Sequence, residues 1–322
     1  MRILAWHVHG SWMTSFVSGN HQYLIPTLPA RGEDGRGRGR TFDWPSTVVE
    51  ISPDELEVAA IDLVLLQRPT ELELFQKWSG RSLGEGGIPA LYLEHNTPRG
   101  DVTDWVHPMA GRADIPIVHV SHFNQSMWDN GNAPTAVVEH GVPDYGPRYS
   151  GELESLAVVV NDPIRRWRIT GMDLAARIAE QVPIHVYGMG TQDLDKHIRR
   201  GLAGVDNVSQ AELHQRLPRH LAYLHPNRWT SVGMSLIEAM TLAMPVLVLS
   251  ATAAPESVGP GAGLVSSNID LLASQARWWS SQRHEAMTYG QAARAHALRR
   301  FALSRFLDDW DRLFTEAVHP PH

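Results

Sequence analysis

Residues 228–240 read RWTSVGMSLIEAM. A short turn containing Gly233 runs straight into an apolar helix that carries one acidic residue, Glu238, in its second turn. Thr230 or Ser231 can cap that helix, and Gly233 lets another group approach the backbone. Leu236, Ile237 and Met240 form the face that packs inward. The unpaired N–H groups of a first helical turn, with the positive end of the helix dipole, favour a phosphate. A carboxylate close to the buried face needs hydrogen-bond donors, and the diol of a ribose supplies two. The plainer reading of the same residues is a capped helix whose Glu238 is solvated.

The flanks place this helix between strands. LAYLHP precedes it and PVLVLS follows it. Before those come LAVVVND as a strand, TGMDLAARIAEQV as a helix, PIHVYGMG as a strand ending in glycines, and SQAELHQRLPRH as a helix. AGLVSS, two helices and a final amphipathic helix carrying Phe306, Trp310, Leu313 and Phe314 close the chain. The first half alternates in the same way. A strand at Arg2–Val8 and an amphipathic helix through SGNHQYLIPTLP come first. The apolar runs TVVEI, DLVLLQ, PALYLEH, PIVHVS and TAVVEHGV follow, with the helix PTELELFQKW among them. Near-continuous apolar strands alternating with helices indicate an α/β fold with parallel sheets covered on both faces. Ala30–Pro45, rich in Gly and Arg, forbids a regular element and is expected to be a mobile loop. PDYGPRYSGE, 143–152, marks a linker. The expected organisation is residues 1–147 as one domain, 148–300 as a second, and 301–322 as a helix returning to the first.

The length of 322 residues suits two cores. A net charge of −7 argues against a nucleic-acid partner. The chain has no cysteine, so disulfide and thiol chemistry are excluded. No apolar run is long enough for a membrane helix and none has signal-peptide character, so the expected location is cytoplasmic, with a peripheral place at the membrane also open. Of 28 basic residues only Lys77 and Lys196 are lysines, a bias that suits a GC-rich coding sequence.

TSVGMSLIEAMTLAMPVLVLS resembles the donor-binding motif of retaining glycosyltransferases of family 4 and their GT-B relatives, E-G-F-G-L-x-x-x-E-A-M-A-x-G-x-P-V-V. Gly233, Glu238, Ala239, Met240, Pro245 and Val246 match at the motif's spacing. The similarity extends outward. VVEHGVPD is similar to the family's NGVD segment, VYGMG to its glycine-bearing strand end with Gly188, and YLEHN to the strand whose terminal histidine, here His95, lies at the interdomain cleft. The resemblance implies two Rossmann-like doubly wound domains facing each other across a cleft, nucleotide sugar bound by the second and acceptor by the first. Ser231, Val232, Gly233 and Met234 would hold the donor's diphosphate or sugar through backbone N–H groups, and Glu238 would take its ribose. His95 would be the catalytic residue contributed by the first domain.

Three departures from the family matter. Thr230 stands where the family has its first glutamate. NDPIRRWRITGMD replaces the family's Arg and Lys pair on the diphosphate, with Arg165, Arg166 and Arg168 near Gly171, and Arg166 or Arg168 supplying the charge. The glycine pair of the N-terminal loop becomes HGSW with SGN, so Gly10, Ser11 or Gly19 could serve. The implied reaction moves a sugar from a UDP- or GDP-sugar to a small-molecule, lipid or glycan acceptor, with retention and without a cofactor. No metal is expected, because His7 with His9 and His119 with His122 lack the spacing of a metal-binding helix. An epimerase or hydrolase on the same fold, and a non-catalytic nucleotide-sugar binder, are the alternatives. Trp6, Trp12 and Trp44 could stack on a ring or fill the core.

Overall fold

The computed structural model describes residues 1–39, 42–197, 201–229 and 231–320. Two compact units emerge: Met1–Gly141 together with the stretch from Leu303 onward, and Val142–Ala302. The second unit closes on itself where Val142 N–H donates to the Phe301 carbonyl at 3.0 Å.

In the first unit β1 (Arg2–Ala5), α1 (Gly10–Phe16), β2 (Gln22–Pro26), β3 (Val48–Ile51), α2 (Pro53–Leu56), β4 (Leu63–Leu66), α3 (Thr70–Ser79), β5 (Ala90–Glu94), β6 (Ile117–His119), α4 (His122–Met127) and β7 (Thr135–Val137) alternate. The seven strands form one parallel sheet in the order β3-β2-β1-β4-β5-β6-β7. All four residues of Leu63–Leu66 are buried, as a strand covered on both faces requires.

The second unit contains β8 (Leu153–Val159), α5 (Met172–Ala179), β9 (Ile184–Gly188), α6 (Leu194–His197), β10 (Leu202–Asp206), α7 (Gln210–Arg216), β11 (His220–His225), α8 (Met234–Thr241), β12 (Val246–Leu249), α9 (Ala254–Ser257), β13 (Gly263–Ser266), α10 (Ile269–Ser281) and α11 (Arg283–Arg300). Its parallel sheet runs β10-β9-β8-β11-β12-β13. Both sheets therefore have the strand order of a doubly wound nucleotide-binding fold, with order reversing between β1 and β4 and between β8 and β11. Ligands of such sheets bind at the carboxyl ends of the strands flanking that reversal.

The last helix, α12 (Leu303–Val318), belongs to the first unit. Phe306, Trp310 and Phe314 are buried on one stripe of it. Trp310 meets Trp12 and Phe16 of α1 at ring-centroid distances of 5.8 and 5.4 Å. Each such ring contributes on the order of 1.5–3 kcal/mol by leaving water. Trp6, Trp12 and Trp44 are all buried, which makes them core residues.

Two sequence expectations change. The helix placed over residues 18–29 ends before it begins: α1 stops at Phe16, and QYLIP is strand β2. Gly19 and Asn20 interrupt the helix, and Tyr23, Leu24 and Ile25 are buried in succession, which suits a parallel strand. The described residues of the Gly- and Arg-rich stretch are irregular but tethered. Arg31 forms two hydrogen bonds to Glu50, at 2.7 and 2.9 Å, and Arg38 donates to the Trp44 carbonyl at 2.6 Å. Strand β10 escaped the sequence reading, since two glycines flank or interrupt it and its edge position leaves most of it exposed. No helix among the described residues is long and apolar enough to cross a membrane.

Candidate functional site

At the reversal point of the second sheet, β8 and β11 end side by side. Gly171, the N-cap of α5, has φ of 70°, and a Cβ there would collide with the Pro226 carbonyl just beyond β11. Only glycine lets α5 begin this close to that strand end. The next residues are held by charge. Arg228 makes a fork to Asp173, Nη1 to Oδ1 at 2.6 Å and Nη2 to Oδ2 at 2.8 Å. Arg168 reaches the same carboxylate at 2.7 Å. These bonds, Arg228 first, hold the Asp173 carboxyl below its ordinary range. Two guanidiniums share one carboxylate, so the cluster keeps a positive surplus. The Arg168 side chain is 74% exposed and is the arm of the cluster most accessible to an anion.

Helix α8 starts beside this cluster in sequence. Gly233 is its N-cap in an extended conformation, with no side-chain cap. A Cβ on Gly233 would meet Cε1 of His225 at 3.1 Å, so the glycine keeps the imidazole edge uncovered. Ser231 and Val232 are buried, and Ser231 accepts a hydrogen bond from Thr252 at its carbonyl. Met234 opens the helix and is part-buried. Thr230 lies outside the described residues.

Glu238 is 4% exposed, but its carboxylate is engaged. Gln210 of α7 donates to Oε1 at 3.2 Å, and His214 Nε2 lies 3.4 Å from Oε2. Tyr145 lies tilted against His214 with centroids 3.9 Å apart. The acidic residue on an apolar helix thus has protein partners already, and acceptor lone pairs remain on each oxygen.

The carboxyl ends of the first sheet are equipped differently. After β4, Gln67 donates from Nε2 to the Trp6 carbonyl after β1, at 2.6 Å. A carbonyl can only accept, so the amide orientation is fixed and Gln67 Oε1 faces His95 Nε2, at 2.9 Å. His95 Nε2 therefore carries the proton. No described residue bonds its Nδ1. Burial first, then His9 and His140, holds His95 well below the ordinary histidine range, so the ring is neutral at pH 7. His9 lies against it with centroids 4.2 Å apart, and Trp12 at 5.2 Å. The neighbouring Arg68 is flanked by Glu71 at 2.8 Å and Asp34 at 3.0 Å, which leaves no positive surplus.

The structure brings Arg168, Ser231, Val232, Gly233 and Met234 to the carboxyl side of the second sheet, with Glu238 turned toward α7. Arg166 sits in the turn before α5, where its carbonyl accepts from Thr170. Gly188 has a packing reason: φ is 134°, and a Cβ would strike the Val160 carbonyl. Gly10 and Gly19 are likewise explained by neighbours, Phe42 and the Tyr23 hydroxyl, while Ser11 is exposed in α1. Sequence reading passed over Arg228, Asp173, His225 and Gln67. A polar residue directly after an apolar strand was the available signal for Gln67; His225 ends β11, Arg228 lies three residues past it, and Asp173 follows no strand.

Residues 169–281 match the family described as Glycosyl transferases group 1. No curated protein matches the chain. Among solved structures, the chain is similar to HepE of Anabaena in complex with UDP, at TM-score 0.71 and 14% identity, covering 98% of this chain and 100% of that one. It is similar to sucrose-phosphate synthase of Thermosynechococcus elongatus at TM-score 0.73 and 12% identity, covering 98% of each. A glycosyltransferase of Rickettsia africae gives 0.69 and 12%, covering 99% of each. At these identities the likeness is one of fold.

Proposed function

We propose that this chain, a glycosyltransferase of the GT-B fold, takes its sugar from a nucleotide-sugar donor held by the second unit. The observation that carries the reading is the cluster of Arg168, Asp173 and Arg228 beside the glycine-capped start of α8. It gathers positive charge at the sheet reversal; Asp173, Arg228 and the start of α8 lie within the segment that matches the glycosyl transferase family, and Arg168 immediately precedes it. Breaking the bond between sugar and diphosphate leaves negative charge on the departing phosphate. Fixed donors aimed at that charge lower the barrier most. The backbone N–H groups of 231–234 and the guanidinium of Arg168 are assigned this task. Glu238 is assigned to the ribose with its remaining lone pairs. The UDP complexes of HepE support a UDP-sugar as the first donor to try.

Retention of configuration and independence of metal belong to the same proposal. With guanidiniums supplying the charge, transfer should survive chelation by EDTA. His95 is assigned to the sugar end of the reaction. Its Nε2–H is committed to Gln67, so Nδ1 is the nitrogen that offers a lone pair to a substrate hydroxyl. Incubation with labelled UDP-, GDP- and ADP-sugars, with and without a cell extract as acceptor source, tests the reading. Label incorporated into an acceptor supports it. A changed sugar on free nucleotide indicates an epimerase, free sugar a hydrolase, and binding without turnover a sensor; any of these overturns it.

A further inference from the structure

Two buried polar atoms at the end of β11 and just after it have no partner among the described residues: Nε2 of His225 and Oδ1 of Asn227. Buried polar groups are nearly always paired, so an orphan asks for an explanation. His225 is the more telling. Its side chain is 1% exposed, and neither ring nitrogen is bonded by any described residue. Burial pushes the imidazole down to about 4, so at pH 7 it is neutral and carries a single N–H. Placing that proton on the sealed Nε2 would orphan a buried donor. Placing it on Nδ1 orphans only a lone pair, the milder cost. Nδ1 lies on the edge beside Gly233, 3.9 Å from where a Cβ of that residue would stand. The N-cap of α8 is thus bare on the side from which an imidazole N–H points.

Resting on the reading that the second unit holds a nucleotide sugar, we propose that His225 is a direct diphosphate ligand, donating from Nδ1 to a phosphate oxygen at the start of α8. The residue then adds a side-chain donor where the helix offers only backbone ones. The absence of a side chain at Gly233 is what gives a phosphate oxygen access to it. The neutral imidazole adds no charge, so it contributes direction to a site whose charge comes from the arginines.

Asn and Gln separate the two ring nitrogens, because an Asn amide nitrogen falls near Nδ1 and a Gln amide nitrogen near Nε2. Calorimetric titration of the whole chain, wild type and the variants His225→Asn, His225→Gln and His225→Phe, would use UDP, GDP and ADP, then the monophosphate of whichever base binds. The expected result is a loss of about tenfold or more in diphosphate affinity for Gln and Phe, near wild-type affinity for Asn, and less than about twofold change in monophosphate affinity throughout. Gly233→Ala, which covers the imidazole edge without touching it chemically, should reproduce the Phe loss if a variant at 225 fails to fold. Equal losses for diphosphate and monophosphate, or no loss, would overturn the assignment alone. A wild type that binds none of the three diphosphates would overturn the donor reading and this assignment with it.

Discussion

The two sheets share a strand order, yet their carboxyl ends carry opposite equipment. In the second unit one carboxylate, Asp173, serves two guanidiniums. In the first, one guanidinium, Arg68, serves Glu71 and Asp34, and His95 is a neutral imidazole whose Nε2 is held by Gln67. One fold thus yields an end suited to an anion and an end suited to hydroxyl groups. The side chains just past the strand ends decide which, and the sheet does not.

The sharpest way to break this comparison is at two left-handed glycines. Gly171 has φ of 70° and faces the Pro226 carbonyl, while Gly80 at the end of α3 has φ of 67° and open space. Backbone strain costs a residue with Cβ about 1–2 kcal/mol, and overpacking adds about 1–3. Gly171→Ala should therefore destabilise by about 2–5 kcal/mol and lose nucleotide binding with it. Gly80→Ala should cost about 1–2 kcal/mol and leave binding intact. Urea unfolding of both variants gives the comparison, and equal losses would mean that Pro226 yields.

Next in size is a double dissociation. Arg228→Ala should weaken a nucleoside diphosphate by about tenfold to a hundredfold, the range for a hydrogen bond to a charged group, because Asp173 is then free to neutralise Arg168. His95→Ala should leave that affinity unchanged and lower transfer by about a hundredfold, the scale of one positioned polar group. Titration beside transfer rates reads both, and a diphosphate affinity that falls with His95 would merge the two regions. Glu238→Ala removes the acceptor used by Gln210 and His214, which should cost about 1–3 kcal/mol of stability. If the ribose also binds there, affinity falls about tenfold; stability lost at unchanged affinity would hand the carboxylate wholly to α7.

How much of this could be read in advance depends on periodicity. Strands buried on both faces announce themselves as apolar runs, so β4, β5, β11 and β12 were legible. Strand β10 was not, because an exposed edge needs no such run. The start of α8 was legible from Gly233, but its partners were not. Arg228 and Asp173 lie far apart in the chain and meet only because β8 and β11 are neighbours. Glu238 suggested a missing donor, and the donors came from α7, which no local pattern shows. Ala243 sits at φ of 65° where the resembled motif has glycine, a departure whose strain sequence spacing alone does not reveal.

A separate effect is expected with pH and should be shared by both units. His119 in the first, and His220 and His225 in the second, are held down to about 4, in each case chiefly by burial. The unfolded chain takes up protons near 6.5. Their contribution is therefore complete above that pH and is lost as pH falls toward 4, because the unfolded state binds the proton first. Calorimetric melting temperatures should fall between pH 7 and 5 and stay level between 7 and 8. A single unit melting early at pH 5 would show that the burden is unequal.

The division of labour itself is tested most directly by hydrogen exchange on the whole chain, with and without a saturating nucleoside diphosphate. Slowed exchange is predicted in residues 161–173 and 225–241, with residues 91–97 unchanged, because a ligand without the sugar has nothing to offer His95. Protection centred on 91–97, with the second unit unaffected, would contradict the account.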